Sequence, residues 1–146
     1  MIVIDSSVLI DCIFEKDITR SNKAKEILKL VKGLKVFAPK ILLIEFMSVA
    51  KRLGMSISKL DVVRLTADFV LLGEDIIFHE ALKIAEYIHP RAVDAYFIAT
   101  AKLTNSILIT NDKIMANNAK KAGVEGYYLI EEFDKVVERV KRIKVE

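Results

Sequence analysis

Cysteine is nearly missing from this sequence. The single thiol, Cys12, cannot close an internal disulfide and leaves no cysteine cluster for zinc. Two histidines, His79 and His89, share no metal-ligand spacing. Glycine occurs only five times, and neither G-x-G-x-x-G nor G-x-x-x-x-G-K-[ST] is present. Dinucleotide-binding and P-loop chemistries therefore lose their main support. No apolar run reaches the roughly 18 residues of a membrane-spanning helix. No basic segment precedes an apolar one at the N-terminus, so no signal peptide is expected and the expected compartment is the cytosol. Charge of one sign is also lacking. The net charge of +3 is a mild basic bias, compatible with a polyanionic partner but not diagnostic of one.

Apolar residues, by contrast, are plentiful, at 53% of 146. That is enough for one full core, and a single domain over residues 1–146 is expected. The chain opens on Ile2, Val3 and Ile4, a β-branched run suited to a strand buried on both faces. Val8 to Phe14 reads as a short, largely buried helix, with Cys12 as a small apolar member. Ser21 to Lys32 is an amphipathic helix ended by Gly33. Lys35 to Ala38 reads as a second strand, and Pro39 opens a helix over about Ile41 to Leu53. Ser56 or Ser58 caps a further helix reaching about Leu72, with Leu60, Val63, Leu65, Phe69 and Val70 as core positions. Glu74 to Phe78 reads as a third strand, followed by a helix over His79 to Ile88. After Pro90, Ala92 to Leu103 is a strongly apolar helix. Ser106 to Thr110 is a fourth strand, Asp112 to Ala122 a helix, Gly126 to Ile130 a fifth strand and Glu131 to Lys144 a last helix. Strands alternating with helices predict an α/β fold, a parallel sheet with helices on both faces.

Four acids stand out against this pattern. Asp5 and Asp112 end buried strands just before helices. Asp94 lies in the first turn of an otherwise apolar helix, and Glu45 sits between apolar neighbours. Each has an ordinary explanation. Asp5 and Asp112 suit N-caps, Asp94 suits a helix N-terminus, and Glu45 could snorkel from an apolar face. Together they require four coincidences. In a parallel sheet the carboxyl ends of all strands share one edge, and the following helices start there. The four carboxylates would then converge on one rim. Like charges repel, so a divalent cation is the natural neutraliser, and an oxygen-only donor set suits Mg²⁺ or Mn²⁺.

The order of short motifs resembles the PIN domain family. These are Val3-Ile4-Asp5-Ser6-Ser7, then Pro39 with Glu45 six residues later, then Val93-Asp94-Ala95-Tyr96-Phe97-Ile98-Ala99-Thr100-Ala101, and Leu108-Ile109-Thr110-Asn111-Asp112. Within the family the sequence looks most like the VapC-type toxin ribonucleases. The resemblance implies a three-layer fold with a five-stranded parallel sheet in the order 3-2-1-4-5. It implies a Mg²⁺- or Mn²⁺-dependent ribonuclease, with Asp5, Glu45, Asp94 and Asp112 as the catalytic and metal-holding acids. Ser6 and Thr110 match supporting positions, and Asn111 lies beside the site. Many relatives place Asn directly before the second acid, whereas here it is Ile44. The resemblance also implies an RNA substrate, a cognate antitoxin protein and a homodimer.

Other readings fit less well. Haloacid-dehalogenase-type phosphatases need a second Asp two residues after the first, and here that position is Ser7. Response-regulator receivers need an acid pair after the first strand, and Glu74-Asp75 is not so placed. Two alternatives stay open: a PIN-fold module that binds RNA or protein without turnover, and a nuclease of RNA processing outside a toxin–antitoxin pair.

Overall fold

Ile2, Val3 and Ile4 have no exposed surface. In the computed structural model, which describes residues 1–14 and 16–146, they form the central strand β1 (Ile2–Ile4). The chain continues through α1 (Ser6–Ile13), α2 (Ile18–Leu30), β2 (Val36–Pro39), α3 (Ile41–Arg52), α4 (Lys59–Leu65) and β3 (Phe69–Leu72). It then forms α5 (Glu74–Ile88), α6 (Ala92–Leu103), β4 (Ile107–Thr110), α7 (Lys113–Lys121), β5 (Gly126–Tyr128) and α8 (Leu129–Val145). The sheet order is β3-β2-β1-β4-β5, and every pairing is parallel. This is the order that the family resemblance implied.

Alternation along the strands builds two cores. Ile2 and Ile4, with Val36, Ile107 and Ile109, face one side and pack on α2 and α8 through Ala24, Ile27, Val136 and Val140. Val3, Ala38 and Leu108 face the other side and meet α3, α5, α6 and α7, where Phe46, Ile77, Phe97 and Met115 are almost fully buried. Three layers result. Each large side chain withdrawn from water contributes about 1.5–3 kcal/mol before entropy is counted.

The third strand lies earlier than the sequence pattern suggested. Phe69–Leu72 pairs with β2 in register Val36 to Phe69, and Glu74 to Phe78 is instead the first part of α5. Ile77, Ala81 and Ile84 fall on one helical face. Glu74 and Asp75, acids in the first turn, complement the helix dipole. The helix expected to reach Leu72 stops at Leu65, because the chain must turn to feed that strand. Ser58 does cap it: Asp61 N–H donates to Ser58 Oγ at 3.2 Å, and Ser58 N–H donates to Asp61 Oδ2 at 2.8 Å. Only Val62 of this short helix is buried, while Leu60, Val63 and Leu65 are exposed, as is Val70 on the edge strand. The second helix starts at Ile18 on an Asp17 cap, and the fifth strand ends at Tyr128. Cys12 is half-buried. No helix among the described residues is long and apolar enough to cross a membrane.

Candidate active site

Register places the first acid. Ile4 pairs with Ile109, so Asp5 leaves β1 beside Thr110, and Asp5 N–H donates to the Ile109 carbonyl at 3.1 Å. Asp5 occupies the N-cap position of α1, yet its side chain makes no capping bond. It is held by hydroxyls instead. Ser7 Oγ and Thr110 Oγ1 each donate to Asp5 Oδ2 at 2.6 Å, and Ser6 Oγ lies 3.2 Å from Oδ1. The hydroxyls are themselves oriented by backbone. Asn111 N–H donates to Ser7 Oγ and Asp112 N–H donates to Thr110 Oγ1, both at 2.9 Å. The turn after β4 thus fixes the carboxylate at the end of β1.

Glu45, on α3, reaches the same place, where its Oε1 makes a short hydrogen bond with Ser6 Oγ. A hydroxyl has one proton, so Ser6 can donate to Asp5 or to Glu45 but not to both. Both contacts are satisfied together only when one of the two carboxyls carries a proton. Burial raises the Asp5 carboxyl above its ordinary value, with Ser7, Thr110 and Ser6 offsetting part of the rise. Burial also raises Glu45, opposed by Ser6 and reinforced by the charges of Asp5 and Asp94.

Asp94 is buried in the first turn of α6. Burial raises its carboxyl as well, against the pull of Arg91. Asp112 does two things. Its Oδ1 caps α7, accepting from Ile114 N–H at 2.9 Å and Met115 N–H at 3.2 Å, and its Oδ2 accepts from Arg91. Burial pushes Asp112 up, but Arg91 and the two backbone donors outweigh it and hold the carboxyl below its ordinary value.

All four acids line one cleft of about 450 Å³. The four acids that the sequence singled out therefore share this cleft. Among the charged lining residues the sequence pattern missed three, Arg91, Asp11 and Arg20. Arg91 Nε donates to Asp94 Oδ2 at 3.0 Å, and the same guanidinium pairs with Asp112. Asp11, on α1, accepts from Arg20 Nε at 2.7 Å and from Asn111 Nδ2 at 2.6 Å. Asn111 is therefore oriented by Asp11, leaving its buried Oδ1 without a hydrogen-bond partner. Arg91 could have been found from its position one helical turn before Asp94 and directly after Pro90. Asp11 and Arg20 carry no comparable signal.

The donor chemistry fits a hard divalent cation: carboxylate oxygens, three of them on acids that burial disfavours as anions. In the arrangement seen here, no three acid, histidine or cysteine side chains among the described residues are gathered to hold one. The guanidinium of Arg91 stands between two of the acids instead.

The family model for the PIN domain matches residues 2–121. None of the curated proteins matches the chain. Among solved structures it is similar to VapC20 of Mycobacterium tuberculosis, described as a sarcin-ricin loop cleaving toxin. The TM-score is 0.64 at 18% identity, covering 86% of this chain and 98% of that one. A toxin–antitoxin complex from Klebsiella pneumoniae gives a TM-score of 0.61 at 20% identity, over 77% of this chain and 87% of that one. PAE2754 from Pyrobaculum aerophilum gives 0.63 at 15% identity, over 97% and 89%. These likenesses are likenesses of fold.

Proposed function

Because the chain belongs to the PIN domain family, we propose that it is a divalent-metal-dependent ribonuclease, the toxin of a toxin–antitoxin pair. The observation that carries this reading is the set of four acids from four chain segments lining one cleft, with Asp5 fixed by three hydroxyls. A purely structural acid would not need such a scaffold.

Asp5, Glu45, Asp94 and Asp112 would hold Mg²⁺ or Mn²⁺. The ion supplies acidification of water and stabilisation of charge on a leaving oxygen. The chain's own residues do the rest. Ser7 and Thr110 keep one Asp5 oxygen engaged and so set how the carboxylate faces the cleft. Ser6 links Asp5 to Glu45, and Glu45 is the group best placed to hold or pass a proton. Hydrolysis adds water at phosphorus and releases the 3′ oxygen, leaving a 5′ phosphate and a 3′ hydroxyl. Asn111 braces the rim through Asp11.

Partners follow from the surface and from the neighbours. Ile76, Phe78, Leu82 and Tyr87 on α5 are exposed, with Leu60, Val63 and Leu65 of α4. This apolar excess suits a homodimer. The Klebsiella neighbour is a toxin–antitoxin complex, which supports an antitoxin for this chain.

The alternative is a PIN-fold module that binds RNA or protein without turnover, favoured by Arg91 sitting across Asp94 and Asp112. Cleavage of a panel of structured RNAs by purified wild type and Asp5→Asn, with Mn²⁺ or EDTA, separates the two. Cleavage that needs Mn²⁺ and falls at least about 100-fold in Asp5→Asn is expected. Equal cleavage by both proteins would overturn the assignment. No cleavage by wild type would favour the binding module.

A further inference from the structure

The cleft contains two arginines in different situations. Arg20 is tied into the frame: its guanidinium donates to Asp11 at 2.7 Å and to the Asn111 carbonyl at 3.3 Å. Arg91 is tied only to Asp94 and Asp112, and 57% of its side chain is exposed. Its backbone is nevertheless set. α5 ends at His89 in the left-handed region, φ 61° and ψ 40°, and Pro90 follows. A residue before proline is disfavoured in helical conformations, so this corner is held by its surroundings. It delivers Arg91 to the N-cap of α6 in an extended conformation, one turn from Asp94. The backbone is fixed while the guanidinium can swing about its side-chain bonds.

The charges make that swing consequential. A guanidinium and a divalent ion cannot both take the same oxygens of Asp94 and Asp112. We propose that Arg91 is a displaceable counter-ion and a substrate-positioning residue. It neutralises Asp94 and Asp112 while the ion is away, and turns to a phosphate of the bound RNA when the ion occupies the acids. This rests on the ion-dependent nuclease reading above. A planar guanidinium matches two phosphate oxygens at once, and it already lies in the cleft beside the acids.

The test is Mn²⁺ titration calorimetry on the full chain, with wild type, Arg91→Gln, Arg91→Lys and Asp5→Asn, each checked for fold by circular dichroism. Arg91→Gln should bind Mn²⁺ at least about tenfold more tightly than wild type, because no internal cation has to leave. Arg91→Lys keeps the charge without the fork and should fall between them. With saturating Mn²⁺, Arg91→Gln should raise KM for RNA more than it lowers kcat. Its RNA binding should lose about one unit of salt slope, as for one lost phosphate contact. Unchanged or weaker Mn²⁺ binding in Arg91→Gln, with binding lost in Asp5→Asn, would overturn the displacement and leave the ion site standing. Mn²⁺ binding absent from wild type, or unaffected by Asp5→Asn, would overturn the ion site and the proposal with it.

Discussion

Thr110 donates a 2.6 Å hydrogen bond to Asp5 across 105 positions of sequence. The same hydroxyl accepts from the Asp112 backbone N–H. One side chain therefore couples the first of the four cleft acids to the last of them.

Removing that hydroxyl while keeping the shape should separate positioning from chemistry. Thr110→Val leaves Asp112 N–H without its acceptor and Asp5 with one donor fewer. A loss of about 1–3 kcal/mol in stability is expected. Cleavage should fall by about tenfold, less than in Asp5→Asn. Denaturant midpoints and initial rates measure the two effects. Wild-type rates in Thr110→Val would mean that Asp5 needs no such support.

Glu45 gives a pH signature. Its folded carboxyl is raised, by burial first and by Asp5 and Asp94 after that. A raised carboxyl stabilises the fold below its unfolded pKa, and this contribution is lost as pH rises through the folded pKa. Asp112 is shifted the other way, so its contribution is lost as pH falls. The difference between Glu45→Gln and wild type isolates the first term. In EDTA, the melting temperature of Glu45→Gln relative to wild type should climb as pH rises above the ordinary glutamate range of about 4–4.5. A flat difference would show that Glu45 ionises as freely in the fold as in the open chain.

Mn²⁺ should stabilise the protein by binding only the folded form, because the four acids are distant in sequence. At a free concentration about 100 times the dissociation constant, the gain is about 2.7 kcal/mol. For a chain of this size the melting temperature should rise by roughly 5–10 °C. Asp94→Asn should shrink that rise, and an identical rise in both proteins would place the ion elsewhere.

The exposed apolar residues of α5 should govern assembly. Wild type should scatter light as twice 16.5 kDa at micromolar concentration. Leu82→Glu, a charge beside exposed Phe78, should shift it to the single chain with little loss of fold. A monomeric wild type would remove the homodimer.

Close packing at the sheet edge makes a sharper stability test. A Cβ added at Gly126 would lie 2.8 Å from Ala119 Cβ and 3.2 Å from the Ala116 carbonyl oxygen. Gly126→Ala should cost about 1–3 kcal/mol through overpacking of β5 on α7. Adding Ala119→Gly should recover part of this despite its own helix penalty, a coupling that a double-mutant cycle measures. Additive costs would mean that the two residues do not meet.

The acids of the cleft were legible because Asp5 and Asp112 each end an apolar strand, while Asp94 and Glu45 stand alone in apolar helical stretches. Parallel pairing then does the gathering, which is why Asp5, Asp94 and Asp112 could be placed before any coordinates. The edge strand was less legible. Phe69 to Leu72 and Glu74 to Phe78 are both short apolar runs, and only the acids at Glu74 and Asp75 distinguish a helix start from a strand. Leu60, Val63 and Leu65 misled for a related reason: apolar spacing marks a face to be covered, not what covers it. Arg91 is a different case. Its role depends on the corner at His89 and Pro90, and the angle of that corner is set by packing between α5 and α6.

The central position of β1 also has a consequence in time. β1 is made first, but it sits between β2 and β4, and β4 begins only at Ile107. At roughly 5–20 residues per second, about 5–20 s of synthesis separate the two. Until then Asp5 lacks Thr110, the cleft lacks Asp112 and the sheet lacks two of its five strands. On the nuclease reading proposed above, the cleft is therefore incomplete until most of the chain exists, and the topology itself would delay the chemistry.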